Sequence, residues 1–244
     1  MPERRMLASA VLYACAYSRT AAPLRAVSQA VVASRPVVMN ALDTTPATLS
    51  RRAAALVAVT AMSATTAHAE GNAYPRMVIE TTQGNMEFEL WDDVAPKHVK
   101  NILTLAKQGF FDGQAFHRII PGFVIQGGDP NTKLGYGPGG TLEGGDKSKQ
   151  RTWGRGGPGY NVPAEFNERL HEFGVLSMAR SADPNSAGSQ FFVCLGRLTS
   201  LDNKYTVFGK LTKGEEVLRK IGAAKTVAGD IPETRQGIQR IDQL

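Results

Sequence analysis

The stretch AFHRIIPGFVIQGGDP, residues 115–130, decides how this chain is read. Phe116, Ile119, Ile120, Phe123, Val124 and Ile125 make it strongly apolar, and Pro121-Gly122 places a turn near its middle. Arg118 does not fit, because an unpaired charge buried among such side chains would cost several kcal/mol. Either a carboxylate such as Glu165 or Asp129 pairs with it, or its charge is put to use at a surface. Gln126 lies two residues beyond Val124, on the same side of an extended strand. His117 alternates away from Arg118 and reads as a hydrogen-bonded structural histidine.

Outward from this stretch the pattern is mostly β. RMVIETTQGNMEFELW alternates polar and apolar residues around Gln83-Gly84-Asn85, a hairpin with Met86, Phe88 and Leu90 on one face. FHRII, FVIQ, GVLSMA, QFFVCL, YTVFGKL and GIQRIDQL are further short strand-like runs between glycine-rich turns. Two segments are helical. Pro96 suits a first helical turn, Val99, Ile102, Leu103 and Ala106 follow at helical spacing, and Gly109 stops the run. His98 lies off that stripe and is expected in solvent. GEEVLRKI carries Glu215 and Glu216 at its start and Lys220 at its end, as the helix dipole favours. Many short strands with two helices predict a mainly β antiparallel barrel or sandwich whose open ends the helices plug.

Net charge divides the chain in two. Of the formal +6, residues 1–69 carry five, with seven arginines, no lysine and no glycine, whereas residues 70–244 are nearly balanced. The basic pI is therefore no sign of a nucleic-acid partner. Residues 1–69 have the Ala, Arg, Ser and Thr composition of an organelle transit peptide. Within them Arg51-Arg52, an apolar stretch and Ala67-His68-Ala69 spell a signal peptide cleaved after Ala69. That apolar stretch is too short to span a membrane, which takes about 20 residues. Two signals in series predict a disordered presequence bound for the chloroplast thylakoid lumen. With Met39 as the true start, the alternative is a protein of the bacterial periplasm or a secreted one. The domain is then residues 70–244.

Cys194 is the one cysteine after residue 69, so no internal disulfide joins this part, and no Cys/His cluster has metal-ligand spacing. The glycine-rich stretch 131–163 twice spells G-x-G-x-x-G, but Pro138 and Pro158 interrupt the copies and no helical pattern follows, so both read as loops. Ser177 and Ser189 lack the G-x-S-x-G setting of a hydrolase nucleophile.

FHRIIPGFVIQGGDP, GVLSMARSADPNSAGSQFFV and LDNKYTVFGKLTKGEEVL together resemble the cyclophilin family of peptidyl-prolyl isomerases, and the likeness extends over about residues 77–242. The resemblance implies a closed eight-stranded antiparallel barrel capped by two α-helices, and cis/trans interconversion of X-Pro bonds as the reaction. It assigns catalysis to Arg118, a proline pocket to Phe123, Val124, Phe192 and Leu201, and orientation of arginine and substrate to Gln126. Ala179, Arg180 and Gln190 would line the groove for the preceding residue, with Tyr205 at the pocket. No cofactor or metal is required. The implied partners are proline-containing peptides and unfolded or exported proteins, met by a monomer.

Three departures stand out. Ser200 replaces the tryptophan that the best-known members carry before Leu-Asp, and Tyr205 replaces a histidine, so cyclosporin is expected to bind with reduced affinity. Arg180, where asparagine is common, adds a charge beside the groove and favours acidic peptides. The alternative function is a proline-peptide binding or chaperone module with little catalysis.

Overall fold

The computed structural model describes residues 73–244. The expected presequence, its cleavage point after Ala69 and Met39 lie outside the described residues. In chain order the strands are β1 (Arg76–Thr81), β2 (Gly84–Leu90), β3 (Gln114–Phe116), β4 (Arg118–Ile120), β5 (Val124–Gly127), β6 (Val175–Met178), β7 (Phe191–Cys194), β8 (Val207–Lys213), β9 (Thr226–Val227), β10 (Ile231–Pro232) and β11 (Gln236–Gln243). The helices are α1 (Pro96–Lys107), α2 (Lys147–Gln150) and α3 (Glu215–Gly222).

Nine strands make one antiparallel sheet in the order β3-β11-β1-β2-β8-β6-β7-β5-β4, curled into a nearly closed barrel, and β9 and β10 form a separate hairpin. The eight-strand, two-helix expectation is corrected to a nine-stranded, nearly closed barrel with three α-helices among the described residues. The ninth strand comes from a break, not an insertion. The run from Gln114 to Ile120 is interrupted at His117, so that β3 pairs with β11 at one edge while β4 pairs with β5 at the other. One chain segment thus contributes to both edges of the sheet. The third helix, α2, is a single turn capped by Asp146, whose carboxylate accepts from the Ser148 and Lys149 amides. Its sequence is polar and offers no apolar stripe to read.

Strand alternation sorts the side chains. Met86, Phe88 and Leu90 of β2, Ile79 of β1, Ile119 of β4, Ile125 of β5 and Val193 of β7 point into the barrel and are fully buried. α1 closes one side with Val99, Ile102, Leu105 and Ala106, and α3 adds Val217, Leu218 and Ile221.

α1 has a second buried face. Its N-cap, Ala95, has no side-chain oxygen to offer. Glu165 supplies the missing acceptor from a distant loop, taking the amides of Lys97 at 3.1 Å and His98 at 3.0 Å, and the His98 ring Nδ1 at 2.7 Å. His98 is accordingly fully buried, which corrects its expected exposure. Burial holds its pKa below the usual histidine value.

Candidate active site

The cross-strand register answers the question of the odd arginine. Arg118 stands opposite Gln126, Gln126 opposite Phe192, and Phe192 opposite Ser177, one row across β4, β5, β7 and β6. Residues opposite one another share a face of the sheet. The adjacent row, Ile119, Ile125, Val193 and Leu176, fills the barrel interior, so alternation turns Arg118 outward. Its side chain is 41% exposed, and its Nε lies 3.4 Å from Oδ2 of Asp230, itself 45% exposed. The terminal amino groups of the guanidinium have no partner among the described residues. Neither carboxylate that the sequence offered pairs with it. Glu165 serves α1, and Asp129 is fully buried, accepting from the Asn131 amide at 2.8 Å and from the Gly154 amide.

Beside this row the outer face of the barrel is apolar. Trp91, Val124, Val175, Phe192, Cys194, Leu198 and Val207 form a second buried cluster, and Phe123, Ala179, Leu201 and Tyr205 pack on it partly exposed. Six of the residues expected to hold substrate therefore converge on one cluster. Val124 and Phe192 form its floor at 2% and 5% exposure. Phe123 is set by the turn Ile120-Pro121-Gly122-Phe123, in which the Phe123 amide bonds Ile120 O at 2.9 Å and Gly122 takes φ +73°. Proline then a left-handed glycine at the two central positions is the requirement of a type II turn.

Polar groups close the other side of the row. Gln126 Nε2 donates to Gln190 Oε1 at 3.0 Å, and Gln190 Nε2 donates to the Gly156 carbonyl at 2.8 Å. This amide chain pins the second glycine-rich loop, where a Cβ on Gly156 would lie 2.1 Å from Asp129 Oδ1, so only glycine fits. Between that loop, residues 154–161, and residues 179–181 and 188–190 opens a cleft of about 680 Å³. Gln126, Gln190, Ala179 and Arg180 all line it. An arginine with free donors, an apolar slot and a neighbouring polar cleft can hold an extended peptide with one small apolar ring in the slot.

The model of the cyclophilin type peptidyl-prolyl cis-trans isomerase/CLD family matches residues 76–243. The chain belongs to the cyclophilin family. It is 42% identical over 165 residues to "Peptidyl-prolyl cis-trans isomerase-like 1" of Neurospora crassa, covering 65% of this chain and 87% of that protein. It is 39% identical over 161 residues to "Peptidyl-prolyl cis-trans isomerase CYP57" of Arabidopsis thaliana, 64% of this chain but 28% of that longer protein. Among solved structures it is similar to a cyclophilin type isomerase of Cryptosporidium parvum, crystallised in the presence of the dipeptide Ala-Pro, with a TM-score of 0.59 and 31% identity over 69% of this chain and 98% of that one. The protein is accordingly a cyclophilin-type peptidyl-prolyl cis-trans isomerase.

The departures from the better-known cyclophilins have visible structural consequences. Ser200 is exposed and gives the slot no aromatic wall. Tyr205 stands with its ring edge-on to Phe192 at 5.9 Å, and the Arg180 guanidinium lies 4.5 Å over that ring. Arg180 is held there by the carbonyls of Lys204 and Ser181, at 2.9 and 2.8 Å.

Two features of this cyclophilin site were not read from the sequence. Asp230 is one: it holds Arg118 from 112 residues away, at a turn where it takes φ +62°, and its carbonyl accepts the Ile119 amide at 2.8 Å. The other is a buried row beneath the slot. Ser177 Oγ lies 3.0 Å from His171 Nε2, and His171 Nδ1 lies 3.1 Å from Asp202 Oδ1. The order resembles a hydrolase triad, but Ser177 and His171 are fully buried and the Ser177 hydroxyl is 3.0 Å from the Thr206 carbonyl. No substrate carbonyl can reach it. The row instead holds the His171 ring stacked on Phe192, with centroids 6.0 Å apart and planes 15° apart. Burial lowers the His171 pKa against the pull of Asp202, whose carboxyl Arg197 holds far below the ordinary carboxylate range.

Proposed function

We propose that Arg118 accelerates rotation about X-Pro bonds by hydrogen-bonding the proline nitrogen as it leaves planarity. The C–N bond resists rotation by about 18–20 kcal/mol because of resonance, and an X-Pro bond isomerises unaided in roughly tens to hundreds of seconds. Turnover at about 10–10³ per second asks for about 3–7 kcal/mol off that barrier. As the bond twists, the nitrogen becomes pyramidal and gains a lone pair that the planar amide did not offer. A guanidinium facing that lone pair binds the twisted state better than either planar isomer, which is the condition for a faster reaction. A charge-assisted hydrogen bond accounts for about 1.5–3 kcal/mol. The apolar slot supplies the rest by holding the ring and excluding water, with Phe123, Val124, Phe192, Leu201 and Tyr205 around it.

One observation carries this reading: terminal amino groups without partners among the described residues sit on the same sheet face as Phe192, two strands away across Gln126. The test is turnover of a proline tetrapeptide by Arg118→Ala. A fall in kcat/KM of about 10- to 100-fold is expected from the hydrogen-bond energy. Undiminished turnover would refute the arginine's part, and tight binding without turnover by the unmutated protein would make it a peptide-binding module instead.

In cells the clients are unfolded or exported proteins, met by a monomeric enzyme in the thylakoid lumen, or in the bacterial periplasm or outside the cell if Met39 is the start. The support is the acid-poor, Arg- and Ala-rich composition of residues 1–69 and the Ala67-His68-Ala69 cleavage pattern. N-terminal sequencing of the mature protein should begin at Glu70. Cyclosporin should bind more weakly than to family members that carry the tryptophan in place of Ser200.

A further inference from the structure

The cleft beside the proline slot has a charge that its neighbours do not cancel. Arg155 and Arg180 line it, and no aspartate or glutamate does. Arg76, Arg118, Arg169, Arg197, Arg219 and Arg240 each meet a carboxylate; among the described residues Arg155 and Arg180 do not, nor do Arg151 and Arg235, but of these four only Arg155 and Arg180 line the cleft. The Arg180 donors go to main-chain carbonyls, which fix the guanidinium without neutralising it, and the Tyr205 ring backs its face. A cation so held has already lost the freedom that a mobile side chain would lose on binding. It is pre-set to receive an anion.

The geometry points to a substrate preference resting on the isomerase reading above: we infer that this cleft selects peptides with a carboxylate side chain near the isomerised proline. Ala179 packs on the slot cluster and also lines the cleft, so the two compartments share a wall. Adjacent strands lie about 4.8 Å apart and an extended residue advances about 3.3 Å, so the charge falls roughly two or three residues from the proline. A glutamate there would reach Arg155 and Arg180, while its glutamine isostere would fill the same space without the ion pair.

The experiment compares a proline peptide series in which a single glutamate is moved from about three residues before the proline to three after, each paired with its glutamine isostere. Calorimetric affinity and kcat/KM are both measured on the mature chain. One position should show a Glu/Gln ratio of about 5 or more in affinity at low salt, falling towards 1 at about 0.5 M salt. In Arg155→Gln, an exposed loop change, the ratio at that position should drop, and Arg180→Gln should lower it further. Ratios near 1 at every position, with the glutamine peptides turned over normally, would overturn the inference and leave the isomerase reading intact. Selective affinity without turnover of any peptide would sustain the cleft's preference and sink the catalytic reading.

Discussion

His117 makes acid stability the sharpest test of how the barrel closes. The residue breaks the run between β3 and β4, is 5% exposed, and its ring Nδ1 has no partner among the described residues. The ring hydrogen bond expected from the sequence is thus missing at Nδ1, although the His117 amide bonds Gln126 O at 3.0 Å. Burial pushes its pKa down from 6.5 to about 4, with Asp129 pulling up and the neighbouring Arg118 pushing down. A proton therefore binds the unfolded chain more tightly than the folded one. Its contribution to stability is complete above pH 6.5, is lost as pH falls, and levels off below about 4, with a slope approaching 1.4 kcal/mol per pH unit between. Between pH 7 and pH 4.5 the loss from this one site is about 2 kcal/mol. His98 and His171, also lowered by burial, act in the same direction, so the comparison must isolate His117. Urea unfolding of the unmutated domain and of His117→Gln, each across that pH range, does so through the difference of their slopes. The variant should lose about 2 kcal/mol less on acidification, whatever its stability at neutral pH. Parallel curves would refute the buried, neutral histidine.

Three further outcomes follow from the same geometry. Glu165→Ala removes the acceptor for two α1 amides and the His98 ring, and should cost about 2–4 kcal/mol in urea unfolding; a change under about 0.5 kcal/mol would mean that water replaces it fully. Gln126→Ala unhooks Gln190 and the Gly156 loop, and should lower kcat/KM several-fold while shifting stability by less than about 1 kcal/mol; unchanged kinetics would remove Gln126 from the site. Cys194 is fully buried and its thiol is pushed up to about 12, so the native domain should resist maleimide at about pH 8 and react only on unfolding. Rapid labelling of the native protein would contradict that burial.

Much of this was legible from local pattern. Period-two alternation in β1 and β2, the Pro121-Gly122 turn and the spacing of Val99, Ile102 and Ala106 are short-range signals, and the elements formed where they fall. That Arg118, Gln126 and Phe192 would gather was legible because they belong to three strands whose motifs resemble a family, and the register sets them in one row. What stayed hidden depends on distant pairing. The burial of His98 requires the loop carrying Glu165, which no helical wheel of α1 contains. The Asp230 anchor and the His171 row join groups far apart in the chain, and nothing in local composition marks them. The split at His117 reflects a change of pairing partner, from β11 to β5, which the apolar run itself does not encode.

Arg118 is held to distinguish two states of one peptide, the planar and the twisted, so separating binding from turnover in Arg118→Lys decides its role. Exchange spectroscopy on a saturating proline peptide reads the on-enzyme isomerisation rate, and titration reads the affinity of the planar forms. If the fork donates chiefly to the twisted nitrogen, the on-enzyme rate should fall by about ten-fold or more while affinity changes by less than about three-fold. A ten-fold loss of affinity, with the bound peptide isomerising as fast as before, would show that Arg118 only binds the planar peptide.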